Sequence, residues 1–242
     1  MMAASTSNVP NDAFLTDARN RMVDSQIRPN KVSDPRILDA MRHLPRERFL
    51  PAALLSLAYA DQNVPLGGGR VMLQPMALAR LVHAAAPSNG DKALVVGAGA
   101  GYSAALLASL GCEVTALEPS GTLLDNAKQV LADLAPSVTL ISGALPPGWA
   151  AGGPYDVILI DGAVTEVPAT VANQLKRETG RLVTILMPNG TGRGTGGGFS
   201  GNSHCGVAVQ AESTPAGISV RALFDFTCPV LPAFVPAPLF AF

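Results

Sequence analysis

The chain has 242 residues, 48% of them hydrophobic and only 14% charged, with a formal net charge of −1. Such a length buries a sizeable core, and so low a charge content suits a sheet covered on both faces. The near-neutral balance excludes a global field that would draw the chain to nucleic acid or to an anionic membrane.

Residues 1–10 are small and polar and are expected to be disordered. Ala13, Phe14, Ala18, Met22 and Val23 then recur at helical spacing, with Asn11 or Thr16 as caps. A second helix is expected after Ser33-Asp34-Pro35, with Ile37, Leu38, Met41 and Leu44 as its apolar stripe. Pro45 interrupts it, and a short segment with Leu54, Leu55 and Leu57 follows. Residues 61–75 are irregular, bend at three consecutive glycines, and end at Pro75, which opens a helix buried through Leu78, Leu81, Val82 and Ala85. His83, between them, is read as a surface or partly satisfied histidine rather than a catalytic one. Residues 11–90 as a whole read as a helical extension covering the body and carrying a substrate-side loop.

From Asp91 the chain alternates strand and helix, the pattern of a parallel sheet. Strands are expected at 93–97, 113–117, 138–141, 156–161 and 181–186, and helices at 102–110, 121–134 and 167–176. Residues 189–203 are Gly, Thr and Ser rich and read as a mobile loop, with a substrate lid as the alternative. Strands at 205–211 and 218–227 would close the sheet as a hairpin, completing a core over 91–228. The proline- and phenylalanine-rich tail, 229–242, is expected to pack extended on that core. Cys112, Cys205 and Cys228 are scattered without a C-x-x-C pair, and His43, His83 and His204 lack ligand spacing, so free thiols and no metal site are expected. Without a secretory pattern, or an apolar run of the ~18 residues a span needs, the expected location is the cytoplasm.

The body is organised around Ala93-Leu94-Val95-Val96-Gly97-Ala98-Gly99-Ala100-Gly101-Tyr102. Four apolar residues run into three alternating glycines and then an Ala- and Leu-rich helix, an arrangement that lets a nucleotide-like ligand approach the backbone and face free amides at the helix start. Glu118 stands at the end of the second strand, placed to accept both ribose hydroxyls of such a ligand. Gly99-x-Gly101-x-x-Ala104 formally meets the dinucleotide fingerprint, which keeps a nicotinamide-dependent oxidoreductase in view. That fingerprint begins two residues late, because the turn itself starts at Gly97, directly after the strand. S-adenosylmethionine is the other candidate ligand.

From about Met22 onward the chain resembles the protein-L-isoaspartate O-methyltransferase family. The resemblance is carried by Leu44-Pro45-Arg46-Glu47-Arg48-Phe49-Leu50-Pro51, by Tyr59-Ala60-Asp61 with Val64-Pro65-Leu66-Gly67, and by Val96-Gly97-Ala98-Gly99-Ala100-Gly101-Tyr102-Ser103-Ala104. It continues in Tyr155 to Ile160, Glu166-Val167-Pro168, Leu175-Lys176 and Gly180-Arg181-Leu182-Val183. It implies a three-layer Rossmann-like α/β fold and methyl transfer from S-adenosylmethionine to an isoaspartyl carboxylate in damaged proteins. It also implies a protein, peptide or small-molecule acceptor, with no nucleic acid or membrane partner. Carried over by position, the cofactor contacts are Gly97, Ala98, Gly99, Gly101, Tyr102, Glu118, Pro119, Gly143, Ala144 and Asp161. The acceptor side is Leu66, Gly67, Leu73, Gln74, Pro75, Gly162, Ala163 and Val164.

Several positions depart from the family pattern. Leu73 stands where a serine tied to activity is expected, and leucine donates no hydrogen bond. Val95 replaces an acidic residue of the first strand, and Ser142-Gly143-Ala144 stands where a Gly-Asp-Gly turn usually meets the adenine. Asp161 occupies a position more often small or hydroxyl-bearing, and is a candidate for binding the cofactor's amino group or the acceptor, or simply ends its strand. These departures leave open a methyltransferase with another acceptor, or a non-catalytic binder of the same fold.

Overall fold

A computed structural model describes residues 12–119, 121–187 and 205–235. The regions 1–10 and 189–203 and the end of the tail, 236–242, lie outside the described residues.

The extension begins with α1 (Asp12–Met22) and α2 (Pro35–His43). Asp34 caps α2 by accepting from the Arg36 amide at 2.9 Å, and Pro35 opens its first turn. Residues 61–75 are not irregular throughout: Val64–Gly67 (β1) pairs antiparallel with Arg70–Met72 (β2), a small hairpin whose turn is the glycine run. Helix α3 (Pro75–Ala85) follows, opened by proline as expected.

The central sheet contains β3 (Lys92–Val96), β4 (Glu113–Glu118), β5 (Thr139–Ser142), β6 (Val157–Val164), β7 (Arg181–Leu186), β8 (Val207–Thr214) and β9 (Gly217–Asp225). Their order is β5-β4-β3-β6-β7-β8-β9, parallel through β7, with β8 and β9 added as the antiparallel hairpin. Helices α4 (Tyr102–Ser109) and α5 (Thr122–Leu134) connect the first strands, giving the three-layer Rossmann-like architecture. Ala93, Leu94, Val95 and Val96 are all 0% exposed, which explains why β3 reads as an unbroken apolar run.

The composition of α4 explains the extension. Tyr102 to Leu107 are all buried, so this helix has no polar face to give to water. The sheet covers one side and α2 packs over the helix from the other. Met22, Ile27, Ile37 and Met41 accordingly share one apolar cluster with Val95, Ala104 and Leu107.

Two expected elements differ. The helix expected at 167–176 shrinks to α6 (Ala169–Ala172), because the chain beyond it is claimed by other partners. Gln174 Nε2 donates to the carbonyls of Pro147 and Thr170, and Leu175 bridges to Tyr155 as a strand would. Conversely, β6 runs to Val164 rather than stopping at 161, since Ala163 bridges to Val230 of the incoming tail and the Met187 amide donates to Val164.

Candidate active site

The crevice lies where β3 pairs with β4 on one side and β6 on the other. There the chain leaves the strand ends in opposite directions, and ligands of open α/β sheets bind at such a switch point. Gly97, Gly99 and Gly101 take φ of +78°, +58° and +98°, values that favour glycine. A Cβ at Gly97 would lie 3.1 Å from Arg70 Nη2 and 3.4 Å from both Leu145 and Leu231, so this turn is a close-approach surface.

Free amides are expected at the helix start; those of the turn before it are already engaged. Gly97 and Ala98 both donate to the Leu117 carbonyl, at 2.9 and 3.1 Å, and Gly101 donates to Ala98 at 2.8 Å. These bonds pin the turn to β4. The Gly99 amide instead donates to Glu118 Oε2 at 2.7 Å, which holds the carboxylate against the turn. Glu118 is 2% exposed and its carboxylate is paired with Arg70, a residue the sequence reading had not placed in the site. Arg70 Nη1 donates to Glu118 Oε1 at 2.8 Å; Nη2 donates to Oε2 at 3.1 Å and to the Gly97 carbonyl at 2.6 Å. A cleft of about 560 Å³ opens beside the pair, lined by Leu66, Gly67, Glu118 and Pro119 among others. Gly143, whose amide donates to Glu118 O at 3.2 Å, and Ala144 sit on the next loop, with Leu145 reaching the cleft.

Tyr102 turns away from this cleft. Its ring meets Phe49 edge-on at 5.3 Å, and the Arg46 guanidinium stands 4.9 Å from its centroid, placing it in the interface with the extension. Arg46 is 0% exposed and donates through Nε to Ala58 O at 2.8 Å and through Nη2 to Leu73 O. Leu73 is thus held in the core, 1% exposed, its side chain offering no hydrogen bond. Gln74 is fixed from both ends, its amide donating to Asn63 and its side chain to Asp61, and Pro75 is buried at the head of α3.

Asp161 sits beside α4, with Oδ2 accepting from Ser103 at 2.6 Å and Oδ1 buried without a partner. Burial pushes its carboxyl up to about 6, against the pull of Ser103, Arg70 and Arg46. Gly162, Ala163 and Val164 do not form an open lip. Leu231 lies over Gly162, and the Leu231 amide donates to Ala163 O at 2.8 Å, so the tail covers this part of the expected acceptor side.

Of the expected residues, Leu66, Gly67, Glu118 and Pro119 line one cleft, with Gly97 and Gly99 bonded behind it to Arg70 and Glu118. Arg70, Ser103, Arg46 and Leu231 were missed. For the arginines the one signal was the cost of burying charge: an arginine between Gly69 and Val71-Met72-Leu73 needs a partner in the fold. Glycines that a Cβ would crowd, a buried carboxylate at the second strand's end and a cleft of small-molecule size together fit a nucleoside ligand. Among the described residues no helix is long and apolar enough to cross a membrane.

The sequence model of the protein-L-isoaspartate(D-aspartate) O-methyltransferase family matches residues 17–193. A protein-L-isoaspartate O-methyltransferase of Methylorubrum extorquens is 41% identical over 174 residues, 72% of this chain and 76% of that protein. One of Methanoregula boonei is 38% identical over 169 residues, covering 69% and 77%. A solved protein-L-isoaspartate O-methyltransferase superposes with a TM-score of 0.71 at 25% identity over 88% of this chain, which spans 65% of that longer chain. A Plasmodium falciparum structure named as a putative enzyme of this kind, in complex with S-adenosyl-L-homocysteine, shares the fold at TM-score 0.69 and 17% identity, covering 89% of this chain and 98% of that one.

Proposed function

Because the chain belongs to the protein-L-isoaspartate(D-aspartate) O-methyltransferase family, we propose that it methylates the free carboxylate of isoaspartyl residues in damaged proteins, using S-adenosylmethionine. The observation that supports this reading is the buried Glu118 carboxylate, held by the Gly99 amide at the switch point of the sheet, where the ribose of a bound nucleoside would reach it. Gly97, Ala98 and Gly99 would take the ligand against backbone, Glu118 its hydroxyls, and Pro119, Gly143 and Ala144 the base. The bound cofactor supplies a methyl group on a sulfonium whose charge vanishes on transfer, so the apolar walls formed by Leu66, Leu123 and Leu145 do not oppose the step. The acceptor carboxylate is already a competent nucleophile near neutral pH, so the chain has no proton to remove. Its contribution is alignment and exclusion of water. In this assignment residues 91–228 hold the cofactor, 11–90 supply the acceptor side through the β1–β2 hairpin, and the tail closes over β6.

The test is calorimetry with S-adenosylhomocysteine and with NAD, followed by transfer of labelled methyl to an isoaspartyl peptide and to its aspartyl twin. Binding of the sulfur ligand alone and labelling of the isoaspartyl peptide alone are expected. No binding at millimolar concentration would overturn the enzyme reading.

A second reading, a methyltransferase with a different acceptor, is favoured by the buried, hydroxyl-free Leu73 and by the covering of Gly162 to Val164. Binding of the cofactor without labelling of either peptide would select it.

A further inference from the structure

We propose that Arg70 is an internal stand-in for the ligand, and that it selects nucleosides carrying an amino-acid end by exchanging its partner Glu118 for the ligand's carboxylate. The inference rests on the cofactor reading above.

A ribose presents two adjacent hydroxyls, and a carboxylate takes them as two parallel hydrogen bonds, one on each oxygen. Arg70 already makes that fork on Glu118, with Nη1 on Oε1 at 2.8 Å and Nη2 on Oε2 at 3.1 Å. Its Nη2 also takes the Gly97 carbonyl at 2.6 Å, the acceptor at the head of the glycine turn. The guanidinium therefore fills donor positions that the ligand must fill, and the two compete. Both side chains are nearly buried, 9% and 3% exposed, so a charge left without a partner when the pair opens is costly.

That constraint selects the ligand. A neutral nucleoside offers two hydroxyls to Glu118 but nothing to the displaced guanidinium. A nucleoside bearing an α-amino acid brings a carboxylate for the arginine together with its own ammonium, so the exchange adds no net charge to the site. Arg70 is unfinished where it stands, because its buried Nε has no hydrogen-bond partner. A carboxylate gives this fifth donor an acceptor that Glu118 and Gly97 do not. Arg70 lies on β2, next to the glycine turn of the hairpin, whose Gly67, Gly68 and Gly69 all have positive φ. This is backbone that accommodates a change of partner.

The experiment compares two ligands that share adenine, ribose and thioether: S-adenosylhomocysteine, which has the amino-acid end, and 5′-methylthioadenosine, which lacks it. Wild-type protein and Arg70→Met are titrated with both by calorimetry, with folding checked by circular dichroism. Arg70→Met is expected to tighten methylthioadenosine at least fivefold, by removing its competitor, and to weaken S-adenosylhomocysteine at least fivefold. The preference between the two then falls at least 25-fold. Should Arg70→Met not fold, Arg70→Lys decides: it keeps a charge for the carboxylate but gives up the fork, so methylthioadenosine gains while S-adenosylhomocysteine does not lose. An unchanged preference, or equal weakening of both ligands, in the variant that folds would overturn the exchange while leaving the cofactor reading intact. Failure of wild-type protein to bind S-adenosylhomocysteine would overturn both.

Discussion

The hydroxyl of Ser103 donates to Asp161 Oδ2 at 2.6 Å, joining the first turn of α4 to the middle of β6. The bond holds two neighbouring elements of the crevice in register, yet it satisfies only one carboxylate oxygen, and Oδ1 stays buried without a partner. Burial wins over the hydroxyl and the nearby arginines, and the carboxyl is pushed up to about 6. The folded protein thus binds this proton more tightly than the unfolded chain does, and Asp161 lowers stability as pH rises from about 4 through 6. Asp161→Asn, which keeps an acceptor for Ser103, is expected to remove that loss. By the linkage relation it gains at most about 3 kcal/mol at pH 7 and little at pH 4. Urea denaturation of both proteins at the two pH values checks this, and an equal difference at both would refute it.

Arg46 and Leu73 explain how the segment before α3 is held. The guanidinium reaches Ala58 O and Leu73 O from a fully buried position, fixing the backbone where a hydroxyl is customary while leaving the side chain apolar. Leu73→Ser restores the donor and is expected to raise methyl transfer to an isoaspartyl peptide. The change also trades a buried leucine for a small polar group, at a cost of about 2–5 kcal/mol. Label transfer should therefore be measured well below the melting midpoint of the variant. An unchanged rate in folded protein would show that Leu73 does not limit the reaction.

A second polar network fastens the extension. Arg19 Nε donates to the Tyr59 hydroxyl at 2.9 Å and Arg19 Nη2 meets Glu47 at 3.2 Å, while Tyr59 donates to Glu47. Burial, together with the Glu47 carboxylate, holds the phenol well above its ordinary range, so Tyr59 stays a donor throughout the physiological range. Tyr59→Phe leaves Arg19 Nε and one Glu47 oxygen short of partners. The expected loss is about 1–3 kcal/mol in chemical denaturation, with cofactor affinity unchanged. A large loss of affinity instead would mean that the extension shapes the crevice directly.

Legibility followed sequence distance. The strands of the parallel sheet are mostly short apolar runs between polar or glycine-containing stretches, so β7 matches its expected range and the others differ by a few residues at their ends. Glu118 was readable because its spacing from the glycine turn is set by one strand–helix–strand unit. The β1–β2 hairpin was not, since Pro65 and three glycines argue against a strand and only the pairing of Val64 with Met72 reveals one. Arg70 joins the site through a contact with Glu118, 48 residues away, and Leu231 from beyond the hairpin. No local pattern encodes such long-range contacts. The same holds for α6, where the bonds of Gln174 and the bridge of Leu175 overrode helical spacing.

Gly162 and Leu231 allow the covering of β6 to be measured as a coupling. Gly162 has φ of +153°, and a Cβ there would lie 2.6 and 2.7 Å from the Leu231 side chain. Gly162→Ala thus carries a backbone cost and a steric one, while Leu231→Ala removes a side chain only 2% exposed, at about 2–5 kcal/mol. In the double variant the shortened residue leaves room for the new methyl group. The steric part then disappears, and the two losses sum to more than the loss of the pair together. A coupling of about 1–2 kcal/mol is expected from urea denaturation of all four proteins, within the range seen for contacting residues. Simple additivity would mean that Leu231 does not rest on Gly162 in solution. The crevice would then be open on the side of β6 where an acceptor is expected, and Gly162, Ala163 and Val164 would return as its wall.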